Sequence, residues 1–261
     1  MHMFNAMVSP AVCAATNLTA AALVGYAIVK LRRSNLPLRK MAPMMAVSAA
    51  FIFAAQMLNF SLPGTEVSGH LIGGILLASL IGPWASTLTM AAVITLQCLL
   101  MGDGGIMALG CNIINMAVIP CMVVYPILMR PLLRRKNMTG IVMGSIFASV
   151  AALLLGAASL SVMTALSGTM PLGEFMPYML QVHLLIGLAE GLITALALGL
   201  VFRLRPEMLG EMNEEFAPIK RSTLAVIAAM ALLIAASASL VASQYPDGME
   251  WSIEQVSGMR P

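Results

Sequence analysis

The sequence predicts an all-α polytopic membrane bundle, and three observations carry that prediction. Hydrophobic residues make up 60% of the chain and charged residues 10%, with a mean hydropathy of +0.93, leaving few charges to solvate a globular surface. Apolar segments long enough to cross or enter a bilayer recur along the chain. All but one of the 14 lysines and arginines fall in three clusters between such segments.

Eight apolar segments are expected, at residues 10–32, 41–60, 70–81, 83–101, 112–130, 139–166, 177–203 and 222–242. The first seven form a core over residues 1–205. Residues 206–221 read as a charged linker, and 222–261 as one further transmembrane helix with a short tail. The third segment is short: at about 1.5 Å per residue it spans roughly half of a ~30 Å hydrocarbon core, so protein must shield it. Gly82-Pro83 marks its turn into the fourth, because proline lacks a donor and fixes its own φ. Cys13, Cys98, Cys111 and Cys121 have neither CxxC nor CxxH spacing and read as small packing residues.

Charge sets the orientation. Lys30, Arg32, Arg33, Arg39 and Lys40 follow the first segment; Arg130, Arg134, Arg135 and Lys136 follow the fifth; Arg203, Arg205, Lys220 and Arg221 lie between the seventh and eighth. Alternating helices place all three clusters on one side, which the positive-inside rule makes cytoplasmic. Clusters that flank membrane spans in this way give no reason to expect a nucleic-acid partner. The N-terminus, the loops at 61–70, 102–111 and 167–176, and the C-terminal tail then face outward. Glu66, Asp103, Glu174, Asp247, Glu250 and Glu254 lie there against one cation, Arg260, a weakly negative face that favours arrival of a divalent cation.

Met1-His2 is the stretch with distinctive chemistry. A free α-amine, the next amide nitrogen and the imidazole at position two can close on one metal as fused five- and six-membered chelate rings. A fourth nitrogen would complete a planar N4 set, the tetragonal geometry that suits Ni(II) or Cu(II). His70, delivered to the same outer face by a Gly- and Pro-containing run, is the candidate. His2 is bulky, so Met1 is expected to be retained, and the first apolar segment starts too early for a signal peptide's basic region.

Few polar groups lie within the segments. Gln56, Asn59, Asn112 and Asn115 sit near outward helix ends, where amides can order loops, orient an imidazole or bond between helices. Asp103 lies in the second outer loop. His183 and Glu190 are two turns apart on one helix face; Glu190 could be protonated, pair with His183, or serve a structural or docking surface. Hydrolytic motifs HExxH and GxSxG and the P-loop GxxxxGK[ST] are absent, and the three histidines lie in different segments, so an enzyme is not expected.

Several blocks together carry a resemblance. Met1-His2, Ala54-Ala-Gln-Met-Leu-Asn-Phe60, Ser68-Gly-His-Leu-Ile-Gly-Gly74, Gly82-Pro-Trp84, Gly102-Asp-Gly-Gly105, Leu109-Gly-Cys-Asn-Ile-Ile-Asn-Met116 and His183-Leu-Leu-Ile-Gly-Leu-Ala-Glu190 are similar to those of the substrate-binding membrane component of nickel and cobalt energy-coupling-factor (ECF) transporters. The resemblance covers about residues 1–205. It implies a square-planar site built from the Met1 amine, the His2 amide and imidazole, and the His70 imidazole, with Ni(II) or Co(II) as transported substrate and no organic cofactor. It also implies a prokaryotic plasma-membrane location and, as partners, a transmembrane coupling protein and two cytoplasmic ATPases. The small-residue spacing Ala11/Ala15 and Ala20-Ala-Ala22 fits close helix contact with such a coupling protein. Ser243-Gln-Tyr-Pro-Asp-Gly-Met-Glu-Trp251 resembles the Pro-Asp-Gly-Leu-Glu segment of an accessory subunit, which leans towards nickel and leaves room for a small accessory membrane protein as a further partner. The rival transporter reading is an ion-coupled secondary carrier that needs no ATPase.

Overall fold

The computed structural model describes residues 1–34, 38–206 and 243–258, with isolated positions from 209 to 236. Most of the expected segment 222–242 and the linker before it lie outside the described residues. The elements are α1 (Pro10–Arg33), α2 (Leu38–Gln56), β1 (Asn59–Ser61), β2 (Ser68–His70), α3 (Gly74–Ile81), α4 (Pro83–Met101), α5 (Leu109–Leu133), α6 (Met138–Leu166), α7 (Leu172–Leu204) and α8 (Gly248–Ser257). Five of the helices, α1 and α4 to α7, are long and apolar enough to cross a membrane.

Local chemistry fixes several ends. Ser9 caps α1 by accepting from the Val12 amide ahead of Pro10, and Lys30, Arg32 and Arg33 face the negative end of its dipole. Asn137 caps α6 by accepting from the Gly140 amide. The final turn of α4 and most of α5 adopt π-type hydrogen bonding, and α5 carries Pro120 and Pro126, which cannot donate into a regular ladder. The short α3 is buried along nearly its whole length, which meets the shielding its length requires.

The segment boundaries differ from the sequence expectation at one place that matters. The second segment stops at Gln56, and residues 59–61 and 68–70 instead form a two-stranded antiparallel hairpin pairing Asn59 with His70. His70 is therefore the end of a strand and not the first residue of a helix. The helix is delayed to Gly74 because Gly73 takes a left-handed conformation, φ 77°, while the amides of Ile72 and Gly73 both donate to the Glu190 carboxyl.

α6 and α7 pack closely through small residues: Ser145, Ala148, Ser149 and Ala152 on one, and Gly187, Gly191 and Thr194 on the other, are all buried. A Cβ at Gly191 would stand 2.7 Å from the Ile146 Cα. Gly191→Ala is expected to cost about 1–3 kcal/mol through overpacking. Thermal unfolding in detergent checks this against Gly173→Ala, where a Cβ meets nothing within 4 Å.

The segments expected to lie outside converge at one end of the bundle. The Gly105 amide donates to Met3, the Thr169 hydroxyl to Met7, Ser68 N to Pro246, and Ser243 N to Asn59. The basic residues Lys30, Arg32, Arg33, Arg130 and Arg203 belong to the opposite ends of α1, α5 and α7.

Candidate metal centre

The chain start threads into this end of the bundle and is anchored there by backbone bonds. Asn112 on α5 accepts from the Met3 amide at 2.8 Å and donates to the Met3 carbonyl at 3.2 Å. A side-chain amide is the one neutral group that can match an extended residue's N–H and C=O at once. The Met1 side chain packs in the interior beside Gly156 of α6.

This seating brings the two ends of the predicted chelate together. The Met1 amine lies 3.2 Å from His70 Nε2, and the His2 and His70 rings stack with centroids 5.5 Å apart. His2 and His70 are both buried. His70 Nδ1 lies 3.3 Å from the Leu71 carbonyl, a partner only an N–H can satisfy, so its N–H sits on Nδ1 and the Nε2 lone pair faces the amine. His2 has Gln97 Oε1 3.3 Å from Nε2 and Asp103 Oδ2 3.3 Å from Nδ1. Burial, then the N-terminal charge, pushes His70 down to about 4, and the same two causes hold His2 well below the usual imidazole range. Both rings are therefore neutral near pH 7, each with one free lone pair.

Asp247 is the residue sequence reasoning missed at this site, having counted it only among the outer acids. Its Oδ2 lies 3.4 Å from the Met1 amine and 3.9 Å from His70 Nε2. Burial disfavours its charge, but the adjacent N-terminal ammonium, helped by the Glu250 amide, outweighs it and holds the carboxyl well below the usual range. The Pro-Asp-Gly-Met-Glu motif explains the aim. Asp247 Oδ1 accepts from the amides of Met249 and Glu250, Glu250 accepts from the Asp247 amide, and this capping box leaves Oδ2 to face the amine. A Cβ at Gly248 would press to 3.0 Å on Val182 and Ile186 of α7, so glycine lets the turn sit this deep without those side chains giving way. Gln97 was also missed, since it lies within the apolar run of α4.

The other candidates divide. Gln56 donates to the Ile72 carbonyl at 2.8 Å and so orders the loop after His70. Asn59 lines the cavity outside the histidines. Asn115 reaches only the sulfurs of Met3 and Met163, at 3.9 Å. Glu190 bonds the Ile72 and Gly73 amides at 2.7 and 3.1 Å, the structural alternative, and the pairing with His183 is not formed. His183 bonds the Met179 carbonyl within α7 and borders a crevice shared with Met1, His70 and Asp247. Among the described residues no three His, Cys, Asp or Glu side chains converge to hold an ion.

Comparisons with known proteins identify the family. Residues 2–208 match the family described as cobalt uptake substrate-specific transmembrane region, and residues 221–260 match the PDGLE domain. The chain is 35% identical over 249 residues to an Archaeoglobus fulgidus protein assigned as a fused nickel transport protein, covering 94% of this chain and 80% of that one. It is 34% identical to a fused nickel transport protein of Rhodobacter capsulatus, covering 84% and 66% respectively. The crystal structure of a truncated transition metal transporter superposes with a TM-score of 0.66 at 32% identity, covering 78% of this chain and 99% of that one.

Proposed function

The chain belongs to the cobalt uptake substrate-specific transmembrane family and carries a PDGLE domain, and from that premise we propose that it captures Ni(II) for an ATP-driven ECF transporter. The observation that carries the reading is the buried 3.2 Å approach of the Met1 amine to His70 Nε2. Around a square-planar ion with bonds of about 2 Å, neighbouring nitrogens stand about 2.8 Å apart, so this pair needs to close by only a few tenths of an ångström to form one edge. The His2 amide lies opposite His70, and His2 Nδ1 opposite the amine. When Nδ1 takes the metal the ring's N–H moves to Nε2, where Gln97 Oε1 is placed to accept it, and Asp103 gives up its contact with Nδ1.

Binding displaces protons from the amine and the amide, while the imidazoles are already neutral. Affinity therefore rises with pH across the neutral range. Nickel over cobalt is favoured by the planar nitrogen set and by the fused nickel transport relatives; cobalt uptake by the same route is the alternative. Energy comes from partners, a coupling protein and two ATPases, with the metal site facing outward and the basic helix ends inward in a prokaryotic plasma membrane.

The test is reconstitution of the purified chain alone into liposomes, with nickel content and visible spectrum read in parallel. One equivalent of yellow, diamagnetic nickel is expected, bound but not concentrated under a proton or sodium gradient. Gradient-driven accumulation without ATPases would replace this reading with the secondary carrier.

A further inference from the structure

His2 stands apart from the other two histidines in how its ring is held. His70 and His183 each set Nδ1 on a backbone carbonyl, of Leu71 at 3.3 Å and of Met179 at 2.8 Å, and a carbonyl only accepts, so both rings carry their proton there. His2 lies instead between two side chains, with Asp103 Oδ2 3.3 Å from Nδ1 and Gln97 Oε1 3.3 Å from Nε2. Both oxygens are acceptors, and a neutral imidazole has one N–H to give. Burial keeps the ring from taking a second proton. One of the two oxygens therefore faces a lone pair.

Gln97 carries the means of relieving this conflict. It is fully buried, and its side-chain Nε2 has no partner among the described residues. The last torsion of a glutamine is roughly two-fold, so the amide can turn over in place and aim that unused NH₂ at His2 Nε2. The ring's own proton then sits on Nδ1 and is donated to Asp103, a carboxylate being a stronger acceptor than an amide oxygen. What stays unpaired is an oxygen and not an NH₂, the milder of the two orphans. One turn delivers both residues: the Gln97 carbonyl accepts from the amides of Gly102 and Asp103, with π-type bonding from Gln97 to Met101 and Gly102 left-handed at φ 68°. The Asp103 side chain is 33% exposed and has room to swing away, whereas Gln97 can only rotate where it is.

The chelate needs the opposite tautomer, because only a bare Nδ1 closes a six-membered ring with the His2 amide. We propose that Gln97 is a positioning residue that sets the His2 tautomer by turning its amide. In the metal-free protein its NH₂ donates to Nε2 while Asp103 holds the proton on Nδ1 and latches the site shut. On capture, Oε1 accepts the Nε2 proton and Nδ1 is released to the ion. The proton given up at Nδ1 passes to Asp103 and on to solvent, the one gained at Nε2 comes from solvent, and the ring ends neutral as it began. The metal-bound half rests on the proposed function; the metal-free latch does not.

The experiment is nitrogen-15 resonance of the full chain in detergent, labelled in histidine, with the His2 signals identified as those missing from His2→Ala. Metal-free wild type is expected to carry the His2 proton on Nδ1, and Asp103→Ala to move it to Nε2. Gln97→Leu should keep it on Nδ1, which also reports an intact fold, and yet lower nickel affinity about 10–100-fold, the usual cost of losing a partner behind a ligating imidazole. Gln97→Glu, which keeps an acceptor, should recover most of that loss. The switch is overturned by an Nε2 proton in the metal-free wild type, by an Asp103→Ala ring unchanged from wild type, or by native nickel affinity in Gln97→Leu. If Gln97→Leu fails to fold, the first two spectra decide alone. A wild type that shows the metal-free latch but forms no square-planar nickel complex would instead sink the nitrogen chelate and leave the latch standing.

Discussion

Two alanines added ahead of Met1 are expected to lower nickel affinity by roughly a thousandfold or more and to abolish the yellow square-planar species; a single alanine is avoided because it would place His2 third from a new amine, itself a planar N4 chelator. The extension converts the amine to an amide and moves the free amine two residues further from His2. It also has nowhere to go. The Met1 side chain is packed on α6, its nitrogen faces His70 and Asp247, and Asn112 holds Met3 on both backbone groups. His2→Ala should match the loss of affinity without this crowding, because it removes one donor and leaves the amine in place. Nickel titration with the visible spectrum decides. An extended protein that still forms the yellow complex with native affinity would mean the chain start is not a ligand.

The meeting of Met1, His2 and His70 was legible because Met1 and His2 are neighbours in any fold, and helix alternation put His70 on their side. The role of Asn112 was legible only as an amide at an outward helix end, since its match to the Met3 backbone requires the tail to enter the bundle. The hairpin was hidden because two strands of three residues, rich in Ser and Gly, carry no alternation long enough to read. Asp247 was hidden for a different reason. Its place beside His70 is set by Ser68 bonding to Pro246 and by α8 resting on α7 through Tyr178 and Trp251, contacts between segments far apart in the chain.

Glu190→Ala is expected to lower the stability of the metal-free protein by about 2–5 kcal/mol and to weaken nickel binding as well. The carboxyl is buried on α7, and its two oxygens satisfy the Ile72 and Gly73 amides in the turn that follows His70. Removing it orphans two buried N–H groups, each worth about 1–3 kcal/mol. No other helix geometry is open to this turn, because Gly73 is already left-handed and α3 begins directly after it. The turn must shift to find new acceptors, and His70 shifts with it. Glu190→Gln should fall between wild type and alanine, since an amide oxygen can accept from one of the two N–H groups while its NH₂ opposes the other. The discriminating comparison is His70→Ala, which should abolish nickel binding while costing metal-free stability much less than Glu190→Ala, because its ring nitrogens hydrogen-bond the amine and one carbonyl and hold no turn in place. Thermal unfolding and nickel titration on the same four proteins separate the two roles. If Glu190→Ala unfolds like the wild type, the carboxyl does not hold the turn, and its place in the bundle requires a partner beyond this chain.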